Sequence, residues 1–74
     1  MRETGASAQA YYLLGLVRDA SADSSAAEYY RKALYLEPNH YESLLQLALW
    51  SQKNGEAARA RALKSRAQRV KLTT

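Results

Sequence analysis

The amino-acid sequence predicts an all-α protein of four helices. Its 74 residues include 14 Ala and 11 Leu, no Ile and no Phe, and just five β-branched residues. Three of those five are Thr4, Thr73 and Thr74, which lie near the chain ends. Because β-branched side chains are the ones that favour strands, Val17 and Val70 alone do not supply a sheet. A chain of this length forms one small domain and buries about 60% of its unfolded surface.

The first two helices follow from periodicity and capping signals. One helix is predicted over residues 7–20, where apolar side chains recur at helical spacing. A second helix is predicted to begin at Ser25, because Ser25 and Glu28 have the spacing of a capping box. It runs to about Leu36, and Pro38 ends it because the proline ring disfavours a helical conformation in the residue before it.

The third and fourth helices are marked in the same way. Asn39 to Glu42 supplies another N-cap and capping box, which predicts the start of the third helix. Gly55 is suited to the positive φ that commonly ends a helix, so it predicts the turn between the third and fourth helices. The fourth helix is predicted over residues 56–70.

The chain aligns with itself at a period of about 34 residues, the length of a two-helix repeat. At a separation of 34, Ala26 matches Ala60 and Ala33 matches Ala67. At a separation of 33, residues of similar size also match: Tyr11 with Leu44, Leu14 with Leu47, and Gly15 with Ala48. Large residues meet large ones and small residues meet small ones, as a packing repeat requires. The one-residue difference predicts a shorter turn between the first two helices, within residues 20–25.

Three stretches resemble the tetratricopeptide repeat family. Residues 28–40 are similar to the second helix and closing turn of such a repeat, Leu14-Gly15 to the small-residue pair of its first helix, and Gly55-Glu56 to its inter-helix turn. The resemblance extends over about residues 9–71. It implies two helix-turn-helix repeats stacked as a short right-handed α-solenoid.

This resemblance also implies a division of the chain. The first repeat is expected over residues 7–40, and the second, with a basic C-terminal helix, over residues 41–74. Residues 1–6 are expected to be a disordered N-terminal segment or one derived from an expression vector.

A narrower resemblance concerns function. Residues 10–16 and 33–49 are similar to the C-terminal repeat region of CheR-type chemoreceptor methyltransferases. In that family an upstream domain methylates receptor glutamates with S-adenosylmethionine, and the repeats form a separate module. The resemblance implies that this chain is a non-catalytic, cytoplasmic interaction module of a bacterial signalling enzyme. The alternative is a scaffold or adaptor whose parent chain has no methyltransferase domain.

The residues themselves indicate no catalytic or metal chemistry. Gly5, Gly15 and Gly55 are too scattered for a cofactor-binding loop. With no Cys and a single His, a zinc site is not expected. That histidine, His40, stands close to Pro38 in a predicted turn and is expected to be solvated. We therefore expect no cofactor and no activity in this chain. Nor do we expect insertion into a membrane, because no apolar run approaches about 18 residues.

Charge is distributed unevenly along the chain. Residues 1–52 contain four basic and six acidic side chains, whereas residues 53–74 contain seven basic and one acidic. The basic fourth helix is either a solvated terminal face or a surface that attracts an acidic protein. A nucleic-acid partner is not expected, because no aromatic residue follows Trp50 to stack on bases.

The tetratricopeptide resemblance assigns partner-facing positions to the first helix of each repeat. In this chain those positions hold Gln9, Tyr12, Leu16, Glu42, Leu45, Leu49, Gln52 and Lys53, and Asp19 next to the deletion. Chaperone-binding members use a Lys/Asn clamp there, which apolar residues replace here, so an apolar helix or an extended peptide is the expected ligand. A candidate second surface comprises Trp50, Arg59, Lys64 and Arg66.

The sequence leaves several binding partners open for these positions. Expected partners are a chemoreceptor cytoplasmic domain, other signalling proteins or the catalytic domain of the parent enzyme. The N-terminal segment or a second copy of the chain, forming a homodimer, would cover the same residues.

Overall fold

A computed structural model describes residues 7–73 of the chain. These residues form four α-helices and no strand: α1 (Ala8–Ala20), α2 (Ala26–Leu36), α3 (Tyr41–Lys53) and α4 (Ala57–Thr73). The all-α prediction, with four helices, is confirmed. The disorder predicted for residues 1–6 lies outside the described residues.

The helices pair as two hairpins, α1 with α2 and α3 with α4, and α2 packs against α3 between them. The described chain measures 39 × 33 × 15 Å. Since a helix with its side chains is about 10–12 Å across, a body 15 Å thick leaves every helix with one side open to solvent. The fold therefore combines a thin shared core with extensive helix surface.

Small residues lie where the helices cross. Ala26, Ala33, Ala60 and Ala67 are all buried. Their short side chains allow helix axes to approach to about 8 Å, while Leu44 fills the space between crossings. The residues that match at a separation of 34 thus have equivalent burial in the two hairpins.

Gly15 of α1 makes room for the ring of Tyr30 of α2. A Cβ atom at Gly15 would lie 2.5 Å from Cε1 and 2.6 Å from Cδ1 of Tyr30. Tyr30 is fully buried, and its hydroxyl donates a hydrogen bond to Oδ2 of Asp19 at 3.1 Å. In the second hairpin, Ala48 stands at the position that matches Gly15, and Lys64 at the position that matches Tyr30. Glycine is thus required only in the hairpin that contains the bulky ring.

Both hairpins end their first helix with the same hydrogen-bonded cap. Ala22 and Gly55 have positive φ angles of 57° and 79°. At each, the residue's own N–H bonds to the carbonyl three residues earlier, and the next N–H bonds to the carbonyl five residues before it. This is the Schellman pattern, which favours glycine at the left-handed position. The Gly55 prediction is confirmed, and Ala22 is the same cap with an unfavourable residue.

The turn-length prediction is wrong. Residues 21–25 join α1 to α2, whereas residues 54–56 join α3 to α4, so the first connection is the longer one. The one-residue deletion falls after Asp23. Helix α4 begins at Ala57, directly after its cap, but α2 begins only at Ala26, whose N–H bonds to the Asp23 carbonyl. Relative to the matched Ala26 and Ala60, α4 therefore begins three residues earlier than α2 does.

The capping box predicted for α2 is also absent. Ser25 is the N-cap residue, but its side chain makes no capping hydrogen bond. Instead, Oδ1 of Asp23 accepts a hydrogen bond from the Ser25 N–H at 2.9 Å. This hydrogen bond, with a smaller contribution from Arg18, lowers the pKa of the Asp23 carboxyl below its usual value.

We expect Gly15→Ala to lower the free energy of unfolding by up to about 2 kcal/mol. Overpacking against a fixed ring costs about 1–3 kcal/mol, and the better helix propensity of alanine offsets about 1 kcal/mol of it. Urea unfolding followed by circular dichroism measures the change. The same substitution made in a Tyr30→Leu background should cost less, and an undiminished cost there would contradict the packing explanation.

We expect Ala22→Gly to raise the free energy of unfolding by about 0.5–1 kcal/mol, because glycine adopts positive φ without a steric penalty. Gly55→Ala, at the matching position, should lower it by a similar amount. Thermal and urea unfolding of both variants measure the pair of effects. A loss of stability in both would show that the caps are not equivalent.

Candidate functional site

The predicted groove residues of α1 contact the second hairpin. Oε1 of Gln9 lies 3.1 Å from Nε2 of His40. The ring centroid of Tyr12 lies 5.4 Å from that of His40 and 6.3 Å from that of Tyr30. Leu16 is half-buried against the core. These side chains therefore help to hold the two hairpins together, and their role toward a partner stays a prediction.

His40 is buried, so the solvated turn residue predicted from its place near Pro38 is wrong. It is 7% exposed and is the N-cap residue of α3, the position predicted for Asn39. Its Nδ1 accepts a hydrogen bond from the Ser43 N–H at 3.3 Å. A neutral ring with the proton on Nε2 satisfies this bond and also donates to Oε1 of Gln9. His40 thus connects the start of α3 to the start of α1.

A second connection joins the other ends of the same two helices. Nζ of Lys53 lies 3.6 Å from Oδ1 of Asp19, so these two predicted groove residues pair with each other. Oδ2 of Asp19 accepts the hydrogen bond from Tyr30. Burial, and then this carboxylate, raise the pKa of the Tyr30 hydroxyl, which therefore remains a donor. Trp50 is half-buried against the core and borders a depression of about 270 Å³ beside this pair.

Two of the predicted groove residues of α3, Leu45 and Gln52, line depressions beside α4. Leu45 lines a depression of about 270 Å³ with Lys64, and Gln52 lines one of about 200 Å³ that also includes Lys64. A third, of about 480 Å³, is lined by Leu49, Gln52 and Lys53. The first two depressions share Lys64, and the second and third share Gln52; we refer to the three together as the α3–α4 groove.

This groove has an apolar side and a basic side. Tyr41, Leu45 and Leu49 form the apolar row; the first two are half-buried, and Leu49 is 49% exposed. The basic side, on α4, consists of Arg61, Lys64 and Lys71 with the polar Gln68. Across the groove, Nζ of Lys64 donates a hydrogen bond to Oε1 of Gln52 at 3.0 Å.

The structure separates the members of the candidate second surface. Nη2 of Arg66 donates to the Pro38 carbonyl at 3.2 Å, and Nη1 of Arg59 lies 3.5 Å from Oε1 of Glu56. Trp50 borders the depression beside Asp19, and Lys64 lines the α3–α4 groove. Lys64 thereby joins residues that the sequence had assigned to a different surface, Leu45 and Gln52.

Sequence reasoning missed two features of the groove. Tyr41 precedes Leu45 and Leu49 at four-residue spacing, and this pattern was available as a signal. Gln68 and the basic residues beside it were not predictable as a groove wall, since their place depends on how α4 packs on α3. Glu42, a predicted groove residue, is exposed in the first turn of α3.

Neither a metal centre nor a membrane span is found within residues 7–73. No group of three or more His, Asp or Glu side chains in that range is arranged to hold a metal ion. None of its helices combines the length and the hydrophobicity needed to cross a membrane. The chemical character of the α3–α4 groove comes from its apolar and basic side chains.

These features define an all-α segment of two hairpins with an open groove on the second. The segment is similar to two bacterial proteins, each named a probable biofilm formation methyltransferase WspC. It is 52% identical over 65 residues to WspC of Pseudomonas putida strain KT2440, a match that covers 86% of this chain and 15% of the relative. It is 48% identical over 66 residues to WspC of Pseudomonas aeruginosa strain PAO1, covering 88% and 16%.

This chain spans only 15–16% of the length of these relatives. No protein-family model matches it. No solved structure matches it either. The tetratricopeptide assignment accordingly stays a prediction.

We expect His40→Ala to lower the free energy of unfolding by about 1–2 kcal/mol, because it removes the N-cap of α3 and the bond to Gln9. His40→Asn should lower it less, since asparagine is a good N-cap residue. Asn39→Ala is the control, and it should leave stability unchanged because Asn39 is exposed. Urea unfolding measures all three, and a larger effect at Asn39 would show that the cap is misassigned.

Proposed function

We propose that this chain is a non-catalytic protein-interaction module of a bacterial WspC-like methyltransferase. The similarity to WspC over most of the chain supports such a parent protein. The proposed reaction of that parent, transfer of a methyl group from S-adenosylmethionine to chemoreceptor glutamates, rests on the resemblance to CheR-type enzymes. The observation that supports this role is the α3–α4 groove, where an apolar row on α3 lies beside basic side chains of α4.

The proposed architecture is a pair of stacked tetratricopeptide repeats in a right-handed solenoid. Two observations support it, the internal repeat of the sequence and the matching burial of Ala26 with Ala60 and of Ala33 with Ala67. In this arrangement the segment needs no cofactor of its own. Its proposed location is the cytoplasm, where it would contact a chemoreceptor cytoplasmic domain, another signalling protein or the catalytic domain of its parent.

The scaffold or adaptor without a methyltransferase domain is the second candidate. Both relatives are named methyltransferases, and each match covers a short part of a much longer protein. These observations favour an enzyme as the parent over an adaptor.

The test compares a full-length WspC-like parent with the same protein lacking this segment. We expect deletion to raise the KM for the receptor about tenfold while kcat changes less than about twofold, because lost binding energy common to substrate and transition state appears in KM. Methyl transfer to the purified receptor cytoplasmic domain measures both constants. Calorimetry should also detect no binding of S-adenosylmethionine to the 74-residue chain.

A full-length Leu49→Glu variant complements the deletion, because this exposed residue can change without unfolding the segment. Leu13→Glu is its matched control, since both leucines are 49% exposed. A loss of kcat at constant KM, or cofactor binding by the isolated chain, would contradict a non-catalytic role.

A further inference from the structure

We propose that the α3–α4 groove binds an acidic amphipathic helix of a partner protein. This inference rests on the proposed function, because it names the class of partner that the interaction module takes. Three observations support it: the spacing of the apolar row on α3, the charge of the basic side on α4, and the differences between the second hairpin and the first.

The apolar row fits one helix. Tyr41, Leu45 and Leu49 succeed one another every four residues, so the row extends roughly 12 Å along α3. An amphipathic helix presents apolar side chains at positions i, i+4 and i+7 over a similar length, and such helices bind in grooves through these anchors. The half-exposed Leu49 and the depression of about 480 Å³ beside it provide the most open part of the row.

The wall on α4 specifies the charge of that helix. Arg61, Lys64 and Lys71 lie on the groove side of α4. Among residues 7–73, the ion pairs are Arg18–Asp23, Lys53–Asp19 and Arg59–Glu56, so neither Arg61 nor Lys64 is neutralised by an acid. Lys64 is held over the groove by the neutral amide of Gln52. Glutamate or aspartate beside the apolar stripe of the partner would complement this wall.

The comparison of the two hairpins indicates that another hairpin of this kind would not occupy the groove. In the first hairpin, Tyr30 fills the position that Lys64 holds in the second, and Tyr30 lies at the packed centre of the core. A lysine there does not support the same packing. Nor does any helix of a second copy supply an acidic complement: α1 and α3 each carry one basic and one acidic residue, α2 carries two basic and one acidic, and two α4 helices repel.

The test measures the fluorescence anisotropy of labelled helical peptides titrated with the whole chain. Each peptide has about 18 residues, which is five helical turns and longer than the apolar row. One peptide carries leucines at i, i+4, i+7 and i+11 with flanking glutamates. The second replaces the glutamates with lysines, and the third replaces the leucines with alanines. We expect the acidic leucine peptide to bind at least about tenfold more tightly than either of the others, and to weaken as salt screens the charges.

Matched variants locate the site. Lys64→Glu should weaken binding of the acidic peptide about fivefold, whereas Arg31→Glu, an equal charge change at an exposed position of α2, should not. Leu49→Glu should weaken it about tenfold, and Leu13→Glu should not. Circular dichroism confirms that each variant is folded.

Three results would overturn the inference. These are equal binding of the acidic and basic peptides, loss of binding in Leu13→Glu but not in Leu49→Glu, or a dimer that sedimentation detects and Leu49→Glu abolishes. If no peptide binds although deletion of the segment still raises the KM of the parent enzyme, the groove inference fails and the proposed function stands. If the peptide binds but deletion of the segment leaves the KM unchanged, the groove inference stands and the proposed function fails.

Discussion

The packing of the Tyr30 ring against Gly15 is the contact on which the rest of the structure depends. It places the bulkiest fully buried side chain of the described residues against α1, and its hydroxyl bonds to Asp19. Asp19 in turn pairs with Lys53 of α3. One tyrosine thus closes the first hairpin and orients the carboxylate that connects it to the second. Because the ring is fully buried, its size dictates a glycine at the one place where α1 passes over it.

The two hairpins share a backbone plan but use it differently. The paired alanines are buried in both, and the same Schellman cap ends α1 and α3. At the position of Tyr30, however, the second hairpin has Lys64, which extends over the α3–α4 groove to Gln52. The first hairpin therefore uses this position for internal packing, and the second leaves it polar at the edge of an apolar row. The two hairpins thus share buried alanines and helix caps but differ at the position of Tyr30 and Lys64.

Patterns within one helix or turn were predictable, and features that depend on tertiary packing were not. Alanine spacing, Pro38 and Gly55 specify four helices because crossings, helix ends and positive φ each require particular residue types. The burial of His40 depends on Gln9, which is 31 residues away, so its neighbours in sequence gave no sign of it. The first turn is longer because α2 begins at Ala26, whereas α4 begins three residues before the matching Ala60. The apolar row of α3 was predictable from its spacing, but the α4 wall beside it was not, since periodicity identifies a face and not the helix next to it.

The links through His40 and Asp19 contact α1 about ten residues apart, at its beginning and near its end, a separation of roughly 15 Å. Two anchor points on the same pair of helices oppose both twisting and opening of one hairpin against the other. We therefore expect the two hairpins to move together as one body. A protein bound on the α4 side would then be held at a fixed angle to a domain attached through α1. The segment can therefore orient two proteins as well as link them.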